Sequence, residues 1–200
     1  MITFQKIKWK NFLSTGDHWS EIDFTGHTTN LVVGTNGSGK STMLDALTFA
    51  LFNKPFRKIN KSQLVNATNE KDCCVEVEFN VNNKDYLVRR SIKPNKFDIE
   101  VNGTLLHKEA DDRANQKILE ESILKVNYKS FTQIVILGSS SFVPFMQLST
   151  SNRRDVIEDL LDIRIFSAMN SLIKEKIRTE KEKIRSCLLY TSPSPRDQLT

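Results

Sequence analysis

Charged and apolar residues alternate over Lys6-Ile7-Lys8-Trp9-Lys10, a period of two that predicts a half-buried strand. Ile22 and Phe24 suggest a second strand, and the short apolar run Leu31-Val32-Val33 stops at Gly34 as a buried strand entering a turn does. The period then changes. Met43, Leu44, Leu47, Ala50 and Leu51 recur at three and four residues, which predicts a helix over residues 41–52. Cys73, Val75, Val77, Phe79 and Val81 alternate with Glu76, Glu78 and Asn80, an antiparallel strand pattern with partners expected at 86–90 and 97–101. Asn102-Gly103 is a tight-turn pair leading to a short strand at 104–106, so the middle of the chain reads as a meander.

Beyond the meander the pattern predicts a helix over 109–126, an apolar strand over 131–137 ending at Gly138, and a capped helix over 149–161 with Val156, Ile157, Leu160 and Leu161 on its inner face. From Phe166 onward Ile173, Ile177 and Ile184 sit among Lys and Glu, with Glu180 interrupting the seam. This is a long charged helix, and spacing leaves two alternatives open: the start of a coiled coil, or a solvated terminal helix. Residues 186–200 lack periodicity and contain Pro193 and Pro195; they are expected to be an unstructured tail, and the abrupt change of composition suggests a non-native addition. The expected organisation is an α/β lobe over 1–165, a coiled-coil base over 166–185, and the tail.

The 200 residues are 38% hydrophobic and 26% charged, enough for a globular core with a wet surface. No run of 18 apolar residues exists, and the first ten residues lack the apolar core of a secretion signal. Of three cysteines, Cys73 and Cys74 are adjacent and point to opposite faces of a strand, so neither a disulfide nor a metal site is expected and a reducing cytoplasm fits. The net charge of +5 is compatible with a polyanionic partner, ATP or DNA.

The segment Gly34-Thr35-Asn36-Gly37-Ser38-Gly39-Lys40-Ser41 matches G-x-x-x-x-G-K-[ST] in full, between an apolar run and an amphipathic helix. Glycines let the backbone curl so that successive N–H groups face an anion, and the helix adds its positive dipole end. Lys40 is expected to reach the β- and γ-phosphates, Ser41 to hold Mg²⁺, and Thr42 to support the first helical turn, with Asn36, Gly37, Ser38 and Gly39 forming the cradle. These residues do not decide between adenine and guanine. A P-loop enzyme also needs an acidic residue at the end of another apolar strand. The 131–137 run ends in Gly138, and Glu158, Asp159 and Asp162 fall on a helical pattern, so the second half of the site is not found.

Lys10-Asn11-Phe12, the Asn36–Thr42 core with the Met43-Leu44-Asp45-Ala46-Leu47 helix, Lys54-Pro55-Phe56-Arg57, Pro144-Phe145-Met146, and Arg153-Arg154 with Glu158-Asp159-Leu160-Leu161 resemble the head of SMC-like ABC ATPases of the SbcC family. They are most similar to the large subunits of phage recombination endonucleases, over roughly residues 1–185. The resemblance implies a chain that begins with half an ATPase head, runs out along a coiled coil, and returns with the ABC signature and the acidic strand. It implies ATP with Mg²⁺ sandwiched between two heads, and a metallophosphatase-type nuclease partner working at DNA ends. A half-head without the acidic strand is expected to be inactive by itself. Two positions depart from the family: Leu137 stands where most members have a Mg²⁺-contacting Gln, with Gln133 four residues earlier as the candidate replacement, and Leu13 stands where many have a nucleotide-touching Arg. Basic clusters offer DNA-contact candidates at Arg57, Lys58 and Lys61 after the P-loop helix and at Arg89 and Arg90 in the meander, against the alternative of a solvated basic face. Two other readings stand beside the repair ATPase: an SMC-like DNA clamp or scaffold, and a self-contained P-loop kinase, which the missing acidic strand disfavours.

Overall fold

The computed structural model describes residues 2–106, 112–136, 143–161 and 163–191. The chain divides into two compact units, Met1–Val156 and Ile157–Thr200. The first is built on a six-stranded sheet with the order β2-β1-β3-β4-β5-β6, in which every neighbouring pair is antiparallel. Its strands are β1 (Ile2–Lys10), β2 (Ser20–Asp23), β3 (Cys73–Val81), β4 (Lys84–Ile92), β5 (Lys96–Val101) and β6 (Thr104–Leu105).

The two faces of this sheet follow from the alternation in sequence. Ile7, Trp9, Val75, Val77, Phe79, Val88, Phe97 and Ile99 are buried on one face. The other face is a lattice of charge in which neighbouring strands carry opposite signs. Lys6 and Lys8 pair with Glu21 and Glu78 at 3.3 and 3.6 Å, and Arg89 bridges Glu76 and Glu100 at 2.6 and 3.5 Å.

Helix α1 (Thr42–Phe52) packs on the inner face. Ala46, Leu47, Phe49, Ala50, Leu51 and Phe52 are all buried, so the helix is apolar around most of its circumference and lies inside the core. Asn53 caps it in the left-handed region, its N–H donating to Phe49 O at 2.9 Å. Helix α2 (Asp112–Lys117) continues directly into a π-helical stretch, Ile118–Leu124, that buries Leu119, Ile123 and Leu124. The expected helix over 109–126 is therefore present from Asp112, with residues 109–111 outside the described part.

Several expectations are corrected. Residues 131–136 do not form a strand: Tyr128–Ile134 is helix α3, started by Asn127, whose side chain accepts from Ser130 N–H at 3.0 Å. Phe131 enters an aromatic cluster with Phe4 and Phe52 while Ile134 and Val135 stay exposed, so the apolar run was read with the wrong period. Leu137 and Gly138 lie outside the described residues. The second correction concerns Leu31, Val32 and Val33, which are 87%, 43% and 80% exposed and form no strand. A run apolar on every residue suits a strand flanked by parallel neighbours, and among the described residues none lies beside it.

Helices α4 (Thr150–Leu160) and α5 (Arg164–Thr191) complete the chain. Helix α4 lies within the expected 149–161 segment, but of the residues expected on its inner face only Val156 is buried, while Ile157, Leu160 and Leu161 are exposed. The third correction is that α5 runs past Arg185 to Thr191, because Ser186 through Tyr190 contains no proline and nothing in it ends a helix; residues 192–200 lie outside the described part.

Cys73 and Cys74 are buried and Cys187 is exposed. Burial, with the neighbouring Cys74 thiol, pushes the Cys73 thiol up to about 12, and burial likewise raises Cys74. A native-state titration with a chromogenic disulfide reagent is expected to show one fast thiol, lost in Cys187→Ser, with the other two reacting only on unfolding. Two fast thiols would contradict the buried placement of β3.

Candidate functional site

The segment between β2 and α1 is shaped by three glycines. Gly37 and Gly39 have φ of +85° and +91°, where side chains are strained. At Gly34 a Cβ would sit 2.5 Å from Ser38 Oγ, so a side chain there would displace the Ser38 hydroxyl. The loop closes on itself by Ser38 N–H to Thr35 O at 3.2 Å and Thr42 N–H to Gly39 O at 2.9 Å. Helix α1 starts directly behind it, so its unpaired N–H groups face the loop. Ser41 is the N-cap residue, and its hydroxyl makes no capping bond.

Lys40 folds over the loop and donates through Nζ to Gly34 O and Thr35 O, both at 2.7 Å. These are neutral carbonyl acceptors, and among the described residues no carboxylate is paired with it. An incoming phosphate offers a stronger, charge-assisted partner.

A cleft of about 580 Å³ opens beside the loop. Asn36, Gly37, Gly39, Lys40, Ser41 and Thr42 form one side. Ser38, expected in the cradle, is not on this wall; its hydroxyl packs against Gly34 instead. The opposite side is built by two segments, Leu13 and Ser14 after β1 and Arg57, Ile59, Gln63, Val65 and Ala67 after α1; the resemblance implies a nucleotide contact only at the Leu13 position, and Arg57 is expected at DNA instead. Leu13, Ile59, Val65 and Ala67 make this wall largely apolar. Among the described lining residues there is no Asp or Glu.

Each of those segments is tied in place by polar contacts. Asp45, fully buried in the first turn of α1, accepts from Arg57 N–H at 2.9 Å and from Arg57 Nε at 2.6 Å, with Nη2 at 2.5 Å. This fork brings the loop after α1 back to the cleft. The turn after β1 is anchored by Asn11, whose side chain donates to Asp17 Oδ1 at 3.0 Å and accepts from Asn69 Nδ2 at 2.7 Å. Asn11 and Leu13 have φ of +49° and +54°. For Leu13 that conformation costs roughly 1–2 kcal/mol and persists only where the surroundings enforce it. Asparagines at 11, 66 and 69 were the available sequence signal, since Asn is the side chain that tolerates and bonds such turns.

The remaining sequence candidates separate clearly. Gln133 lies on α3, does not line the cleft, and has a buried Oε1 with no hydrogen-bond partner. A helical position replaces the strand end that placed it near Mg²⁺ in sequence reasoning. Arg90 is 5% exposed on the core face of β4: Nε donates to Ala50 O at 3.0 Å, Nη2 to Gln116 Oε1 at 2.6 Å, and the guanidinium stacks on Phe97 at 3.7 Å. Burial lowers it to about 10, opposed by the Asp112 and Glu120 charges, so it stays charged at neutral pH but is withdrawn from any phosphate. Arg89 is engaged by two glutamates and Arg57 by Asp45. Lys58 and Lys61 are exposed; burial and the nearby Arg90 charge hold Lys61 below the ordinary lysine value. Among the described residues no helix is long and apolar enough to cross a membrane.

A family model described as an AAA domain matches residues 6–189. The chain is 43% identical over 172 residues to the protein named exonuclease subunit 2 of Enterobacteria phage T4, covering 86% of this chain and 30% of that one. It is 28% identical over 180 residues to the DNA double-strand break repair Rad50 ATPase of Thermoplasma volcanium, covering 86% of this chain and 19% of the other. This chain thus spans about a third or less of the length of these relatives. Among solved structures it is similar, at TM-score 0.56 and 24% identity, to a chain from work on ATP-driven dimerization and DNA-stimulated activation of SMC ATPases, covering 79% of this chain and 99% of that chain. At that identity the likeness establishes the fold alone, an α/β P-loop fold.

Proposed function

This chain belongs to the AAA domain family, and on that premise we propose that it is the ATP-binding N-terminal lobe of a DNA-repair and recombination ATPase whose head regulates a partner nuclease at DNA ends. The observation that supports this most directly is the Gly34–Ser41 loop at the start of α1, with Lys40 bonded only to neutral carbonyls and Ser41 Oγ making no capping bond. Phosphates fit the N–H-lined side of the cleft, and the nucleoside fits the apolar side formed by Leu13, Ile59, Val65 and Ala67. Mg²⁺ fits at Ser41, where it supplies neutralisation of the phosphate oxygens.

With no carboxylate on the described walls, this lobe binds and orients the nucleotide and leaves hydrolysis to groups from elsewhere. The exposed Leu31-Val32-Val33 run beside the loop fits the addition of parallel strands from such a second half. Helix α5, with Ile173, Ile177 and Ile184 exposed along it, fits the base of a coiled coil. The partners are a metallophosphatase-type nuclease subunit, a second head across ATP, and DNA. For DNA, Lys58 and Lys61 remain the candidates that are exposed and, among the described residues, in no ion pair, and contacts of this kind weaken steeply with salt.

The experiment is a titration of the 200-residue chain with a fluorescent ATP analogue, with and without Mg²⁺, alongside phosphate release. Mg²⁺-dependent binding with turnover at background is expected. Turnover comparable to a complete ATPase, abolished in Lys40→Ala, would overturn the half-site reading; no binding at all would overturn the nucleotide reading.

A further inference from the structure

Leu13 is a bulky residue held at φ +54°, and it forms part of the cleft wall. Thr15 closes the turn, its Oγ1 accepting from Phe12 N–H at 3.2 Å and donating to Phe12 O at 2.6 Å, and Asn66 ties the turn to the segment after α1. Asn66 Nδ2 donates to Leu13 O at 3.2 Å and to Thr15 O at 3.0 Å. Its Oδ1 accepts from Thr68 N–H at 2.9 Å and Asn69 N–H at 3.0 Å. Its own backbone N–H donates to Asn11 O at 2.9 Å, while Leu13 N–H reaches Leu64 O at 2.7 Å. Asn66 is 8% exposed and fully bonded, so its amide has one orientation that satisfies both ends.

Asn66 does not itself line the cleft, but the residues on either side of it, Val65 and Ala67, do. The same is true of Leu13, whose carbonyl accepts from its amide, and of Ser14, which lies between the bonded carbonyls of Leu13 and Thr15. Backbone bonds also join the two segments, and this amide adds the side-chain tie that holds the turn at 13–15 against the segment at 65–67. The phosphate side makes no use of it: Lys40, Ser38 and Thr42 are bonded within the loop and α1.

We propose that Asn66 is a positioning residue for the nucleoside end of the bound nucleotide, acting through Leu13 and Ser14. This rests on the reading of the cleft as an ATP site. The loss of Asn66 releases Leu13 from its left-handed conformation and lets the turn relax away from Val65 and Ala67, without disturbing the phosphate cradle.

The test compares Mg-ATP with Mg-tripolyphosphate, which occupies only the phosphate side, by calorimetric titration of the wild-type chain, Asn66→Ala and Asn66→Asp. Melting temperatures are recorded for all three. Asp keeps the volume and both acceptor bonds but loses the two donations, so it remains informative if the alanine variant unfolds. Expected is a roughly tenfold loss of ATP affinity in both variants, the scale of a turn that holds its binding-competent form about a tenth of the time, with tripolyphosphate affinity unchanged. An equal loss for both ligands would show general loosening and overturn the proposal, as would unchanged ATP affinity in either folded variant. If the wild-type chain binds ATP no better than tripolyphosphate, or binds neither, the nucleotide reading of the cleft fails first, and that is read before any variant is compared.

Discussion

Replacing Lys40 by alanine lowers the affinity for ATP about a hundredfold and leaves the melting temperature where it was. The ammonium makes two hydrogen bonds within the loop, to Gly34 O and Thr35 O at 2.7 Å, and both acceptors are solvent-accessible carbonyls that water can satisfy. Losing them therefore costs little stability. A triphosphate changes the balance, because the same ammonium then faces anionic oxygens. Hydrogen bonds to charged groups contribute about 1.5–3 kcal/mol each, and loss of about 3 kcal/mol is roughly a hundredfold in affinity. The glycine cradle and the α1 N-terminus are untouched, so residual binding is expected. Lys40→Arg does not restore the wild-type value, because a planar fork does not fit a point-charge site. Titration at fixed salt with a parallel thermal melt separates the two effects. Unchanged affinity, or a loss of affinity that merely tracks a fall in melting temperature, would remove Lys40 from the site.

The second large effect is on stability. Arg90→Ala is expected to destabilise the chain by about 3–4 kcal/mol, and so to lower the melting temperature by roughly 10 °C. The side chain joins three elements. It donates to Ala50 O in α1, to Gln116 in α2, and lies flat on Phe97 of β5. Gln116 in turn donates to Leu51 O at 2.9 Å and to Glu120 at 2.6 Å, so truncation breaks a network rather than one bond. It also leaves a void among buried apolar groups. Arg90→Lys keeps the charge but cannot make both bonds and the stack, and it should fall nearer to alanine than to wild type. Urea melts measure the cost, and fluorescence anisotropy with labelled DNA at low salt checks the alternative. A variant that loses DNA affinity while melting normally would return Arg90 to the surface.

That Arg89 and Arg90 play unlike parts was already encoded in strand parity. Val88 and Arg90 share one face of β4 and Arg89 takes the other, so adjacent arginines read as one basic cluster in fact point to opposite sides of the sheet. Charge counted along the chain does not see this; alternation does, once the strand is known to have an apolar face. The asparagines around the cleft are a similar case. Asn11 is far in sequence from Asn66 and Asn69, and the Phe12–Val65 bridge and the antiparallel β1–β3 pairing bring them within bonding distance.

Local chemistry determined much of this protein before any tertiary contact formed. The P-loop was legible because its geometry depends on residues within eight positions of each other: glycines for positive φ, Lys40 for charge, Ser41 at a helix start. The strands of the meander were legible because one face is wet and one dry, and that contrast is written as a period of two. Where both faces face the same environment, the pattern says little. The apolar run at 131–137 was read as a strand, yet an Asn127 cap and the pocket between Phe4 and Phe52 make it α3. Leu31, Val32 and Val33 have strand composition but no neighbour among the described residues to give them ladder bonds. Only the tertiary structure decided which side chains face the cleft across from the phosphates, which arginine is buried, and which turn residue is strained. Each of these depends on contacts between segments tens of residues apart, and hydrogen bonding of that range leaves no period in the sequence.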